Sequence, residues 1–299
     1  MKQKLFLLAA LVIAFAACND NEPGETITHK SKIDGCLSGL FSISSTEQVY
    51  FSKGNLQWRK NGADDESGTW SFAVTQYSTV SKADNENLTD NFITMDLFGW
   101  NTVYNPTLTS NKIGDYDNEW HDWGRRPISN GGNKAYMWRT LTQEQWLYLF
   151  HGRTDAAKKL GVGHIHLYNA NDSVNGIFIL PDNWKQPSGI DFYSCADKGM
   201  KWMNGYYYFN SAGGNFNHNC YNLDEWEDME RAGAVFLPAA GARYQGPAVR
   251  EIGTEGYYWS ATAATEIMDK VNAVYFWDKS VCSHTDIWWY YGHSVRLVR

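Results

Sequence analysis

Gly256-Tyr257-Tyr258-Trp259-Ser260, Ala273-Val274-Tyr275-Phe276-Trp277 and Ser294-Val295-Arg296-Leu297-Val298 follow one another at sheet-like intervals toward the end of the chain. Each is a short run of aromatic and β-branched residues, the composition of a strand. Upstream, Ala234-Val235-Phe236-Leu237 is an apolar run stopped by Pro238. Trp70-Ser71-Phe72-Ala73-Val74 alternates, with both rings on one face. Phe41-Ser42-Ile43 and Val49-Tyr50-Phe51 add shorter strand signals, the second ended by Lys53-Gly54-Asn55.

Two helices punctuate these strands. Thr142 is an N-cap with Gln145 three residues on, a capping box, and Leu141 is placed to staple onto Trp146. Trp146, Leu149 and Phe150 then define one buried face. Asn222, Glu225, Tyr221 and Trp226 repeat the grammar, Met229 continues the stripe, and Gly233 fits a left-handed stop. Between Asn85 and Gly132 the pattern is loop-like, but Trp100, Trp120 and Trp123 argue that these loops are packed. The helices are too far apart for alternating βαβ units and no repeat is visible. The expected fold class is therefore α+β, with two main helices, short antiparallel strands and long packed loops.

The chain has 299 residues, 43% of them hydrophobic and 20% charged, enough for a sizeable core. Its formal charge is −7, and with Lys2 and Lys4 removed the remainder is more acidic still, which argues against nucleic acid as a partner. The aromatic content is high, 14 Trp, 18 Tyr and 14 Phe, and points to exposed stacking surfaces as well as core. Lys2 and Lys4 precede an apolar run from Leu5 to Phe15, too short to span a bilayer but of signal-peptide length. Ala16-Ala17-Cys18 resembles a bacterial lipobox, which implies a signal peptide over residues 1–17 and acylation of Cys18. Residues 18–39 read as a polar tether, with Pro23, Gly24, Gly35 and Gly39, and residues 40–299 as a single domain. Asp20 and Glu22, close behind Cys18, resemble the surface-export signal of some Gram-negative lipoproteins, but a solvated tether is the better reading of two acids in a linker. Cys36, Cys195, Cys220 and Cys282 remain; four cysteines allow three pairings, and burial as small hydrophobes is the default for each.

Gln48-Val49-Tyr50-Phe51-Ser52-Lys53-Gly54-Asn55-Leu56-Gln57-Trp58 is similar to the opening of a group of Bacteroidetes surface lipoproteins related to the Fibrobacter succinogenes major paralogous domain. Trp138-Arg139-Thr140-Leu141-Thr142 with Trp146, Phe236-Leu237-Pro238-Ala239-Ala240-Gly241, Gly256 to Ser260 and Gly292 to Arg299 recur there in the same order. The resemblance covers roughly Leu40 to Arg299. It implies a C-type-lectin-like fold of the formylglycine-generating-enzyme type, a cell outer-membrane location, and a ligand surface in the late β region. It implies no activity, because members are mostly of unknown biochemical function.

Three kinds of chemistry have candidate residues in the chain. Formylglycine-generating enzymes use paired cysteines near the C-terminus, and here that region holds only Cys282, so no catalytic residues are assigned; Cys282 with His284 is the remaining nucleophile–base couple. Asp115-x-Asp117-x-Glu119 opens like a calcium loop, but the EF-hand glycine and glutamate positions are Trp120 and Arg126; a looser site with Asp122 is the alternative. Gln186-Pro187-Ser188 lacks the acid of the calcium-dependent lectins. His164 and His166 share one strand face, but no third ligand is near in sequence, so no metal or cofactor is expected. Recognition by aromatic rings is left. Trp288 and Tyr290 point one way along a strand, and Trp289 and Tyr291 the other. Trp277, His284, Asp286, Trp288 and Tyr290, bordered by Arg243 and Tyr244, form the expected ligand-binding set. The expectation is a non-enzymatic, lipid-anchored envelope protein binding a glycan or a surface protein. The rivals are an enzyme on the formylglycine-generating scaffold and a structural subunit of a surface appendage.

Overall fold

A computed structural model describes residues 34–62, 68–88, 93–112, 115, 119–168, 172–208, 216–263 and 270–299. The expected signal peptide, Cys18, Asp20, Glu22 and most of the tether lie outside the described residues.

A four-stranded sheet forms one half of the core, in the order Cys220–Tyr221, Leu160–His166, Ser173–Ile179, Val235–Pro238. Leu160, Val162, Ile177, Val235 and Leu237 feed one hydrophobic cluster, while Ile165, Phe178, Phe236 and Tyr221 feed another on the opposite face. With both faces covered, alternation is lost and the strands are apolar throughout their buried half. The helix Leu223–Arg231 lays Trp226 and Met229 on the second face; Asn222 and Glu225 close the expected capping box, and Gly233 takes φ 99° after the last turn.

A five-stranded sheet runs Glu255–Ala263, Lys270–Trp277, Ser280–Trp288, Tyr206–Tyr208, Lys201–Met203, all antiparallel. A three-stranded sheet of Thr69–Phe72, Leu56–Arg59 and Thr94–Met95 buries Trp70, Phe72 and Trp58 together. Trp100 and Trp123 are buried and Trp120 packs on the same cluster, so the described loop segments that carry these three tryptophans are packed.

The expected α+β, C-type-lectin-like class with two main helices is corrected. The protein is mostly β, with 36% strand against 13% helix. The capping box at Thr142 and Gln145 forms as read, but the α-helix is only Gln143–Leu147 and relaxes into a π turn over Tyr148–Gly152. A capping box marks where a helix starts and says nothing of its length. Folded structure also begins earlier than expected. Strand Cys36–Ser42 pairs with Gln48–Ser52, so Gly35 and Gly39 are not linker residues. A Cβ on Gly39 would lie 2.3 Å from the Gly233 carbonyl oxygen, and Gly35 sits at φ 79° against the Asn130 backbone.

The run from Ser294 to Val298 is not a regular strand. It is a seam whose neighbours change along its length. Trp259 donates to the Ser294 carbonyl, Leu56 to Val295 and Ser52 to Leu297, while Val298 exchanges backbone bonds with Arg139 and Arg299 with Tyr50. Cys36, Cys195 and Cys282 are buried free thiols and Cys220 is an exposed one. No helix among the described residues is long and apolar enough to cross a membrane.

Candidate functional site

The site arises from one irregularity in the five-stranded sheet. Ala273 pairs with Thr285 but Tyr275 with Cys282, so two residue steps on one strand face three on its neighbour. This is a β-bulge. On the inner strand, Val274 and Phe276 face the cluster that contains Tyr258 and Val281, while Val271 and Ala273 face the cluster that contains Trp259. Successive side chains alternate between the faces. Each face of the sheet is therefore covered at one end and open at the other.

On the first face the row of Phe276 and Val274 continues through the buried Asn272 to the half-buried Lys270. Their partners across the ladder are Asp286 and Trp288. Asn272 donates its amide N–H to Asp286 Oδ1 at 2.9 Å, and the Lys270 ammonium stands 5.3 Å from the Trp288 ring. The strand ends at Trp288, and a turn, closed by Tyr291 N–H donating to the Trp288 carbonyl at 3.1 Å, brings Tyr290 back onto it. The two rings lie 5.8 Å apart with their planes within 22°. Trp288 is 36% exposed and Tyr290 half-buried. Trp289 goes the other way, against the core, and its carbonyl accepts from Trp100 N–H. Tyr291 does not follow Trp289; it meets Tyr290 edge-on at 5.2 Å and Tyr244 at 5.0 Å.

Of the expected residues, the fold thus assembles Asp286, Trp288 and Tyr290, adds Lys270 and Asn272, and puts Tyr244 beside them through Tyr291. Trp277 is not part of the group. It pairs with Ser280 at the other end of the hairpin, roughly 25 Å away at about 3.3 Å per residue. His284 lies in the bulge, its Nδ1 3.1 Å from Ser283 Oγ and its ring over Gly205. Arg243 is corrected outright: it is 0% exposed, locked to Gly292 by two backbone bonds, and reaches no visitor.

The second open half-face carries residues the sequence reading passed over. Tyr206 and Tyr208 stack at 5.4 Å, across the ladder from Cys282 and Ser280, and Tyr275 stacks on Tyr257 at 4.8 Å. The alternating Tyr206-Tyr207-Tyr208, with only Tyr207 buried, was the available signal. Clefts of about 280 Å³ lie elsewhere, one beside Lys185 and Arg231 and one beside Cys220 and Glu225.

The Cys282–His284 couple does not form as a nucleophile and base. Cys282 Sγ donates to the His284 carbonyl at 2.6 Å and not to its ring, and burial pushes the thiol up to about 11. A thiol held protonated is a poor nucleophile. Asp122 is spent on structure, accepting from Gly124 N–H and Thr140 N–H; Asp117 lies outside the described residues. Among the described residues no group of three or more His, Cys, Asp or Glu side chains converges as a metal cluster. Comparison with protein-family models, curated proteins and solved structures finds no match.

Proposed function

We propose that this chain is a lipid-anchored binding protein of the cell envelope that recognises a glycan through Trp288 and Tyr290. The observation that carries the reading is the near-parallel ring pair of exposed Trp288 and half-buried Tyr290, with a carboxylate and an ammonium beside it. A sugar ring has an apolar face of C–H groups and an equator of hydroxyls. Aromatic faces take the first, and the free acceptor capacity of Asp286 with the Lys270 donors takes the second. The anchor rests on the lipobox-like Ala16-Ala17-Cys18.

The test is a glycan binding screen with the purified chain from Asn19 onward, repeated with Trp288 and Tyr290 both changed to Ala. Loss of two stacking rings removes on the order of 1–3 kcal/mol, so affinity falls at least about fivefold. Unchanged binding by a folded double variant sinks the assignment.

A further inference from the structure

The geometry points to a divalent transition-metal site at His164 and His166, of the copper(II) or nickel(II) type, independent of the aromatic platform. The two residues share a face at the end of strand Leu160–His166, where the sheet runs past its core. Their Nε2 atoms lie 2.9 Å apart, with the rings inclined at 75°. Two nitrogens each about 2.05 Å from a metal are about 2.9 Å apart when they subtend a right angle, and about 3.3 Å apart at a tetrahedral angle. The observed spacing thus fits neighbouring corners of a square-planar or tetragonal shell, the geometry of copper(II) and nickel(II), better than tetrahedral zinc.

The outer nitrogens are held as a metal site requires. His164 Nδ1 is 3.0 Å from the Phe216 carbonyl oxygen, which can only accept, so the proton sits on Nδ1 and Nε2 offers its lone pair. His166 Nδ1 is 2.8 Å from Ser173 Oγ, a hydroxyl that donates or accepts. Without metal, Ser173 donates to Nδ1 and His166 Nε2–H donates to His164 Nε2. With metal, the His166 proton moves to Nδ1 and is accepted by Ser173. Both Nε2 lone pairs are then free and no proton leaves the protein. Cys220 Sγ is 4.0 Å from His164 Nδ1, on the ring edge away from the shared point, and so is not a ligand. Water completes the shell on the side of His166 and the exposed Ser173.

The test uses the untagged chain from Asn19 onward in a Cys220→Ser background, so that thiol chemistry does not intervene. Copper(II) titrated by calorimetry should bind one ion, and electron paramagnetic resonance should show coupling to two imidazole nitrogens. His166→Ala, at a half-exposed strand end, should weaken binding at least tenfold and leave one-nitrogen coupling. His151→Ala, whose ring stacks on Trp202 at 4.2 Å, should change neither. Affinity and spectrum unchanged in His166→Ala, or lost in His151→Ala, would overturn the assignment. Glycan binding by Trp288 and Tyr290 is read separately and is unaffected by either result.

Discussion

His293 shows how far a single residue's setting can depart from its type. Its ring is wholly buried, stacked at 4.8 Å on Tyr257 and 4.3 Å from Trp259, and burial, with the charge of Arg243 nearby, takes its pKa down to about 3. An unfolded histidine takes up a proton near pH 6.5. Between those values the unfolded state holds more protons, so this residue's contribution to stability is intact above about pH 6.5. It is lost progressively as pH falls toward 3, by up to about 1.4 kcal/mol per unit. Urea unfolding at pH 7, 5 and 4 should therefore show a shallower pH slope for His293→Phe than for the unaltered protein; equal slopes would refute the account. None of this was legible in the sequence, where Gly292-His293-Ser294 reads as an ordinary strand start. The same blindness misplaced Arg243. An arginine after a Gly turn normally reaches solvent, but this one is pinned by Gly292, where even a Cβ would come within 2.9 Å of Arg243 Cβ. That Asp286 and Trp288 share a face was legible from strand alternation, but which face they take depends on the bulge, and Tyr290 joins them through the turn after Trp288.

At the scale of elements, starts were readable and lengths were not. Both capping boxes were read to the residue. Replacing Thr142 or Asn222 by Ala should each cost about 1 kcal/mol, and the pair, being in separate clusters, should add. Denaturant midpoints of the single and double variants measure this, and a cost below about 0.3 kcal/mol at either site would contradict the capping geometry. Strand Ser173–Ile179 escaped notice because Asn175 and Gly176 break its apolar pattern. The glycine is required: it pairs with Gly163 across the ladder, and a Cβ there would fall 2.3 Å from the Leu237 carbonyl oxygen. Strand propensity counts such a residue against a strand, whereas close packing of neighbouring backbone demands it. The bulge opposite Val274 was equally invisible, since register is a property of two strands and not of one. It is what turns Trp288 outward.

For the molecule as a whole, the seam from Gly292 to Arg299 joins what the chain order separates. Its backbone bonds reach Arg243, Phe98, Trp259, Leu56, Ser52, Arg139 and Tyr50 in turn. Val295, Leu297 and Val298 are buried in two different clusters. Ending the chain after Tyr291 should abolish cooperative unfolding, as read by near-ultraviolet circular dichroism during heating; a truncated chain with a sharp transition near the full-length one would contradict this role. The sequence showed this run as strand-like, but its several partners depend on the assembled sheets. The same assembly gives the molecule two open aromatic half-faces at opposite ends of one hairpin, and the functional account chooses between them. The direct measurement is the dissociation constant for a glycan identified by screening, determined for Trp288→Ala and Trp277→Ala side by side. The account predicts severalfold weakening for Trp288→Ala and no change for Trp277→Ala. Weakening by Trp277→Ala with Trp288→Ala unaffected would place recognition on the other face and contradict it.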